Sequence, residues 1–153
     1  MDYLKLVPGD WNDGFSNIGI NGKGESVWLG FFLYDILNKF IKICDIRNDN
    51  DYSKKYHKIK EELKKNLNTN GWDGRWYKRA IMDNGTVIGS LESKECKIDG
   101  ISQSWSVISG AGENDKKYIS MQEVENNLID KENKIIKLFS PSFNSWEINP
   151  RLC

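Results

Sequence analysis

Two carboxylates, an indole and an amide lie together in a glycine-rich segment near the start of the chain, residues 9–14, Gly-Asp-Trp-Asn-Asp-Gly. Sugar sites need this mixture, because an aromatic ring covers the apolar face of a pyranose and carboxylates accept hydrogen bonds from its hydroxyls. Desolvation by a neighbouring indole also raises the pKa of a carboxyl group, which suits a general acid. The structural alternative is that Asp10 and Asp13 form turns or cap the following helix.

Two further groups of residues could contact a sugar. The first is the charged segment 94–99, Lys-Glu-Cys-Lys-Ile-Asp, followed by Gln103. Charges beside a helix start are also explained by capping and surface ion pairs. The second group is Trp72, Trp76 and Tyr77, which could stack on sugar rings but could equally belong to a core.

The sequence indicates neither a metal site nor a nucleotide site. Its histidine, cysteine and carboxylate residues lack the spacing of metal ligands. His57 lies in a Lys-rich segment, where we expect it to be exposed and without function. Cys96 has no histidine nearby that could activate it as a nucleophile. The glycines of residues 19–24 lack the spacing of a phosphate-binding loop, so we expect no cofactor.

Hydrophobic periodicity predicts four helices that would position these residues, at about 25–46, 52–68, 101–109 and 115–129. The first has a wide apolar surface and the second a narrow apolar stripe, so the two should form a helical hairpin. Asp51 or Ser53 should cap the second helix and Asp99 the third. Asn84-Gly85, between β-type residues, predicts a short β-hairpin, and residues 135–139 a short extended segment.

This order of elements predicts a mainly α fold. Alternating inner and outer helices joined at opposite ends suit an α/α barrel, although periodicity alone fits a bundle or a solenoid as well. Residues 8–24 contain five glycines and should form a long loop before the first helix. A long structured loop of this kind is usually functional.

Composition limits the partners and the compartment. Among 153 residues, Lys plus Arg and Asp plus Glu number 22 each, which argues against nucleic acid or an anionic membrane as partner. Cys44, Cys96 and Cys153 are odd in number and widely spaced, which indicates a reducing compartment rather than a disulfide framework. The sequence shows neither a signal-peptide pattern nor a membrane-spanning stretch, so we expect a cytoplasmic protein.

Several of these motifs, in this order, resemble the catalytic domain of glycoside hydrolase family 94. That family holds cellobiose and chitobiose phosphorylases and the C-terminal domain of cyclic β-1,2-glucan synthases. After the 9–14 motif, the matching segments are 22–30 (Gly-Lys-Gly-Glu-Ser-Val-Trp-Leu-Gly), 72–80 (Trp-Asp-Gly-Arg-Trp-Tyr-Lys-Arg-Ala), 95–99 (Glu-Cys-Lys-Ile-Asp), 103–110 (Gln-Ser-Trp-Ser-Val-Ile-Ser-Gly), 128–132 and 141–143. The resemblance extends from about Leu4 to Pro150, and the Cys-Lys-Ile-Asp and Gln-Ser-Trp forms favour the glucan-synthase and chitobiose branch.

The resemblance implies an (α/α)6 barrel and an inverting glycosyltransferase reaction. Inorganic phosphate is the co-substrate, and a β-glycoside is cleaved to an α-sugar 1-phosphate. It assigns the proton donor to Asp13 and a place in the donor-sugar site to Trp11. Asp10 becomes a supporting residue, and with Glu95 and Gln103 it is predicted to bind substrate. One catalytic acid suffices because phosphate is already anionic, whereas an inverting hydrolase also needs a base to activate water.

The sequence also departs from the family pattern. It begins just before the catalytic loop, and residues 149–153 differ from the usual continuation. We therefore expect the family's other donor-site and phosphate-binding residues to be missing from residues 1–153. Phe15 stands where Met is usual. We therefore expect residues 1–153 to be a single fragment of the barrel, truncated at both ends, with little or no phosphorolysis on its own. Its exposed inner helix faces should favour self-association.

Three alternatives stay open at this point. The chain could be a non-catalytic remnant that binds sugar weakly. It could be an inverting hydrolase on a similar α/α barrel, which would release free rather than phosphorylated sugar. It could be a helical interaction module, for which the cluster at residues 9–14 has no purpose.

Overall fold

The computed structural model describes residues 17–144 and the backbone of residues 4–5. Within these residues the chain is mainly α, with helices α1 Val27–Ile46, α2 Asn50–Thr69, α3 Gly100–Ile108 and α4 Asn114–Leu128. The short strands are β1 Leu4–Lys5, β2 Glu25–Ser26, β3 Ala80–Ile81, β4 Val87–Ile88, β5 Ile98–Asp99, β6 Ile129–Asp130, β7 Ile135–Ile136 and β8 Phe139–Ser140. Each helix begins and ends within two residues of its predicted bounds.

Helices α1 and α2 form the predicted hairpin. Phe31 on α1 and Leu67 on α2 are fully buried in their shared core. Gly30 permits this close approach, because a Cβ atom there would lie 2.9 Å from Cδ2 of Leu67. The predicted cap of α2 is wrong: its N-cap residue is Asp49, without a side-chain cap bond, and Ser53 instead donates from Oγ to Oδ1 of Asp45 at 2.6 Å.

A small antiparallel sheet joins the start of α1 to the predicted β-hairpin. Its strand order is β1-β2-β3-β4, with Ser26 opposite Ala80 and Ala80 opposite Ile88. Gly85 has φ +84°, a left-handed conformation that glycine adopts without strain, which explains the tight turn after Asn84. The hairpin prediction is confirmed, and the sheet places the hairpin beside the first residues of α1.

A buried polar network joins the end of α2 to the segment between α3 and α4. Oδ1 of Asn68 accepts from the Tyr77 hydroxyl at 2.6 Å and from the Glu113 amide at 3.0 Å. Nδ2 of Asn68 donates to the carbonyl of Ala111 at 2.9 Å. Each of these groups has a partner, so the network adds order without the cost of an unpaired buried polar atom.

Part of the apolar surface of α1 stays exposed. Phe32, Ile36, Phe40 and Ile43 lie at helical spacing and are between 37% and 48% exposed. None of the helices within residues 17–144 has the length and apolarity required to cross a membrane.

Candidate functional site

The residues that carry the predicted chemistry, Asp10, Trp11 and Asp13, lie outside the described residues. Their roles therefore stay predictions. The structure does describe the last part of the same glycine-rich segment, residues 17–24, and the way in which this part is attached to the fold.

Asp83, at the turn of the β3–β4 hairpin, binds the backbone of this segment. Its Oδ2 accepts from the amide of Asn21 at 2.7 Å, and its Oδ1 accepts from the amides of Lys23 and Gly24, each at 2.8 Å. The Asp83 amide in turn donates to the carbonyl of Ile18 at 2.9 Å. One carboxylate thus fixes the end of the loop that leads into α1.

The charged form of Asp83 is the form that this arrangement requires. Desolvation would raise the pKa of its carboxyl group, but the three backbone N–H donors and the charge of Lys23 together lower the pKa below its usual range. Gly24 is needed beside it, because a Cβ atom there would lie 2.3 Å from the carbonyl oxygen of Ile18.

Arg79 links the starts of two helices. Ser26 caps α1, since its Oγ accepts from the Leu29 amide at 3.4 Å, and Nη1 of Arg79 donates to the same Oγ at 3.3 Å. Asp99 caps α3, as predicted, by accepting from the amide of Ile101 at 2.9 Å. Nε of Arg79 lies 3.3 Å from Oδ2 of Asp99, and both side chains are buried.

The position of Ser26 is relevant to the alternative hypothesis that Asp10 or Asp13 caps the helix after the glycine-rich segment. The cap of α1 is the Ser26 side chain, so neither Asp10 nor Asp13 is needed to cap this helix.

Burial shifts the pKa values of Asp99 and of the ionisable groups beside it. Desolvation raises the pKa of Asp99, while the Arg79 guanidinium and the backbone N–H donors of Ile101 and Ser102 oppose this shift. Desolvation likewise lowers the pKa of Arg79. Burial raises the pKa of the neighbouring Cys96 thiol, so this cysteine is a buried protonated group rather than a nucleophile.

Gln103 and Glu95, both predicted to bind substrate, lie in different surroundings. Gln103 is fully buried: its Oε1 accepts from the Tyr77 amide at 2.8 Å, and its Nε2 donates to the carbonyls of Tyr77 at 2.7 Å and Asp99 at 3.0 Å. Glu95 is half-buried, and its Oε1 accepts from the Asn144 amide at 2.8 Å. The described contacts of Gln103 are therefore with the backbone of its own chain.

The predicted aromatic group is divided between core and surface. Trp76 and Tyr77 are buried, and Nε1 of Trp76 donates to the carbonyl of Lys97 at 2.8 Å. Trp72 is half-buried and meets the Tyr77 ring edge-on, with centroids 4.9 Å apart. His57 is exposed, as predicted. Within residues 17–144, no three His, Cys, Asp or Glu side chains are grouped so that they could hold a metal ion.

Neither Asp83 nor Arg79 has a role predicted from the sequence. Asp83 directly precedes the Asn-Gly turn, which signals a hairpin but not a partner. Arg79 belongs to the 72–80 motif, and a charged side chain is seldom fully buried, so the sequence does not indicate its burial.

The described residues combine a helical hairpin with a β-hairpin whose Asp83 binds the end of the glycine-rich segment, at residues 21–24. Residues 3–152 match the family described as "Glycosyl hydrolase 94 superfamily, catalytic domain". The chain belongs to this family.

Relatives in this family include enzymes that act on different sugars. The chain is 39% identical over 145 residues to the cyclic β-(1,2)-glucan synthase NdvB of Rhizobium meliloti, a match that covers 95% of this chain and 5% of the relative. It is 38% identical over 121 residues to the solabiose phosphorylase of Paenibacillus borealis, a match that covers 78% of this chain and 16% of the relative. It is 31% identical over 109 residues to the N,N'-diacetylchitobiose phosphorylase of Vibrio furnissii, a match that covers 70% of this chain and 13% of the relative. The chain thus spans only 5–16% of the length of these relatives.

Proposed function

We propose that this chain is part of an inverting phosphorylase domain that cleaves a β-glucan or a related disaccharide with inorganic phosphate. The observation that carries this proposal is the family match over residues 3–152. It is supported by relatives whose names describe phosphorylases of disaccharides. The relative matched over 95% of the chain is a β-(1,2)-glucan synthase, which favours β-1,2-linked glucose as the substrate.

In the proposed reaction a phosphate oxygen attacks the anomeric carbon as the glycosidic bond breaks. The carboxyl group of Asp13 gives its proton to the departing glycosidic oxygen, and the product is an α-sugar 1-phosphate. Trp11 lies against the donor sugar, and Asp10 and Glu95 bind its hydroxyls. Gln103 was predicted to bind substrate as well. Its buried contacts with Tyr77 support a positioning role instead, in which it holds the segment after Trp76 in place.

We further propose that residues 1–153 form a single portion of an (α/α)6 barrel. The contrast between α1, with its many buried residues, and the Lys-rich, largely exposed α2 supports an inner and an outer helix. The exposed stripe of Phe32, Ile36, Phe40 and Ile43 would favour association with a second copy when the chain is alone. Buried free thiols at Cys44 and Cys96 are compatible with the reducing conditions of the cytoplasm, where we place the protein.

Binding and turnover are tested separately. Calorimetric titration of the chain with glucose, cellobiose and linear β-1,2-glucan, each with and without phosphate, should detect glucan binding with little or no turnover. For turnover, the chain replaces the matching segment of the Rhizobium meliloti synthase, and release of α-glucose 1-phosphate is measured. Asp13→Asn in this chimera should abolish release, by about a thousandfold or more.

Asp10→Asn is the matched control in the same chimera. A smaller loss of rate than in Asp13→Asn is expected, and an equal loss would contradict the roles assigned here. Release of free glucose instead of the phosphate ester would identify a hydrolase. An active chimera that is unaffected by Asp13→Asn would refute the proposed proton donor.

A further inference from the structure

Three segments line a groove of about 730 Å³ that is open to solvent. They are Trp72–Lys78, the turn Gly85–Val87 and the segment Ser90–Lys94. Glu95 and Gln103, the two predicted substrate-binding residues that the structure describes, do not line this groove. We propose that it is a second carbohydrate-binding site, separate from the catalytic loop, which takes a neutral β-linked oligosaccharide.

The walls of the groove are held together by hydrogen bonds between the loops. Oδ2 of Asp73 accepts from the Leu91 amide at 2.8 Å, and Oγ of Ser93 donates to the Val87 carbonyl at 3.0 Å. Oδ1 of Asp73 accepts from the amide of Trp76 at 3.1 Å, which closes the turn after Trp72. A ligand would therefore meet a preformed surface, and little binding energy would be lost in ordering the loops.

The lining combines an aromatic ring with hydroxyl groups. Trp72 is half-buried and its ring is held by edge-on contact with Tyr77 and by Lys116, whose Nζ lies 5.9 Å from the ring centroid. Thr86, Ser90 and Ser93, which carry side-chain hydroxyls, also line the groove, although the Ser93 hydroxyl already donates to the Val87 carbonyl. An indole offers an apolar surface to a pyranose, and hydroxyls donate to and accept from its hydroxyl groups.

The charges of the groove favour a neutral ligand over an anion. Two acidic residues, Asp73 and Glu92, and two basic residues, Lys78 and Lys94, line it, so their charges cancel. Nζ of Lys78 is already bound to the carbonyl of Asn70 at 3.0 Å. Glu92 and Lys94 are exposed, and neither side chain forms an ion pair or hydrogen bond with residues 17–144. One acceptor and one donor are thus free for the hydroxyls of a sugar.

The groove also borders the attachment of the catalytic loop. The β3–β4 hairpin contributes Asp83, which binds residues 21–24, and then Gly85–Val87, which line the groove. An oligosaccharide bound there would lie beside the hairpin that anchors the loop. The choice of a glucan as ligand rests on the proposed function, whereas the existence of the site rests on the groove alone.

The test is an NMR titration of the full 153-residue chain with linear β-1,2-linked glucotetraose. We expect shifts at the amides of Thr86 and Ser93 and at the indole N–H of Trp72. The double variant Glu92→Ala/Lys94→Ala should weaken this binding by about tenfold. Glu125→Ala/Lys131→Ala, at an exposed ion pair of 3.1 Å, is the matched control and should leave it unchanged.

Trp72→Phe, which keeps an aromatic ring against Tyr77, should weaken the binding and preserve the fold. Asp13→Asn should leave the groove shifts intact, so a failure of the proposed reaction does not count as a failure of this site. The inference is overturned if glucotetraose leaves Thr86 and Ser93 unshifted, or if Glu92→Ala/Lys94→Ala binds as well as the wild type. It is also overturned if inorganic phosphate shifts these amides and the sugar does not.

Discussion

The Nε atom of Arg79 lies 3.3 Å from Oδ2 of Asp99, and both side chains are almost completely excluded from water. Asp99 caps α3, and Arg79 also binds the Ser26 hydroxyl that caps α1. The ion pair therefore connects the two helix starts that lie nearest the loops of the candidate site.

Removal of one charge from this pair should destabilise the fold. In Arg79→Met the Asp99 carboxylate stays buried without its counter-charge, and we expect the free energy of unfolding to fall by about 3–5 kcal/mol. Asp99→Asn should cost a similar amount, although its Oδ1 can still accept from Ile101. The double variant should cost at least about 2 kcal/mol less than the sum of the single variants, measured by urea unfolding at neutral pH.

The matched control for this cycle is the exposed pair of Glu125 and Lys131. Each single substitution there should change the free energy of unfolding by less than about 1 kcal/mol. If the Arg79 and Asp99 substitutions were simply additive, the two side chains would not be coupled in the way that the structure indicates.

Gln103→Met distinguishes a positioning role from direct substrate contact. The change keeps the volume but leaves the backbone amide and carbonyl of Tyr77 without their buried partner, and we expect a loss of about 2–4 kcal/mol in thermal or urea unfolding. Ser104→Ala, on the next position of α3, should cost less, because that side chain is only half-buried. A Gln103→Met variant with unchanged stability and weakened sugar binding would favour direct contact instead.

Asp83→Asn should release one of three backbone contacts. The carboxamide can keep one oxygen on the amides of Lys23 and Gly24, but its NH2 group cannot accept from Asn21. Hydrogen exchange followed by NMR should therefore show faster exchange at Asn21, roughly fivefold for a bond of about 1 kcal/mol, with smaller changes at the other two. Asp83→Ala should expose all three amides, and equal exchange in the wild type and Asp83→Ala would contradict this.

The same contacts should respond to acid in a defined direction. The backbone donors lower the folded-state pKa of Asp83 below its usual value. The contribution of these bonds is therefore complete above the unfolded-state pKa of about 4 and is lost as the pH falls through the lower folded-state value. Protection of Asn21, Lys23 and Gly24 should persist at pH 4 in the wild type. In Asp83→Ala it should be low at every pH.

Tyr77→Phe should weaken the network around Asn68. The hydroxyl of Tyr77 donates to Oδ1 of Asn68 at 2.6 Å, so we expect a loss of about 1 kcal/mol or more in the free energy of unfolding. Tyr118→Phe, at a side chain that is 67% exposed, is the control and should be neutral. Desolvation raises the pKa of Tyr77, so its ultraviolet titration should also lag behind that of the exposed tyrosines.

The helices and the β-hairpin could be predicted because their signals are local. Apolar spacing identified α1 to α4, and the turn at Asn84-Gly85 required only two adjacent residue types. The cap of α2 was assigned wrongly because Asp, Asn and Ser residues at 48–53 offered several equivalent candidates.

The attachment of the loop could not be predicted because its partners are distant in sequence. Asp83 binds amides 59 to 62 residues away, and Arg79 binds Ser26 across 53 residues. Periodicity carries no information on which buried charge meets which cap. The burial of Gln103 was missed for the same reason, since its partner is the backbone of Tyr77, which any residue type could supply.

Arg79 also contacts the first turn of α1 and the cap of α3 at once. The Arg79 carbonyl accepts from the amide of Val27 at 3.2 Å, and the Arg79 amide donates to the carbonyl of Ile88 at 2.8 Å. Its guanidinium forms an ion pair with the Asp99 carboxylate. A displacement of the first turn of α1 would therefore disturb the same buried junction that contacts the cap of α3, so the positions of the two helix starts should be coupled.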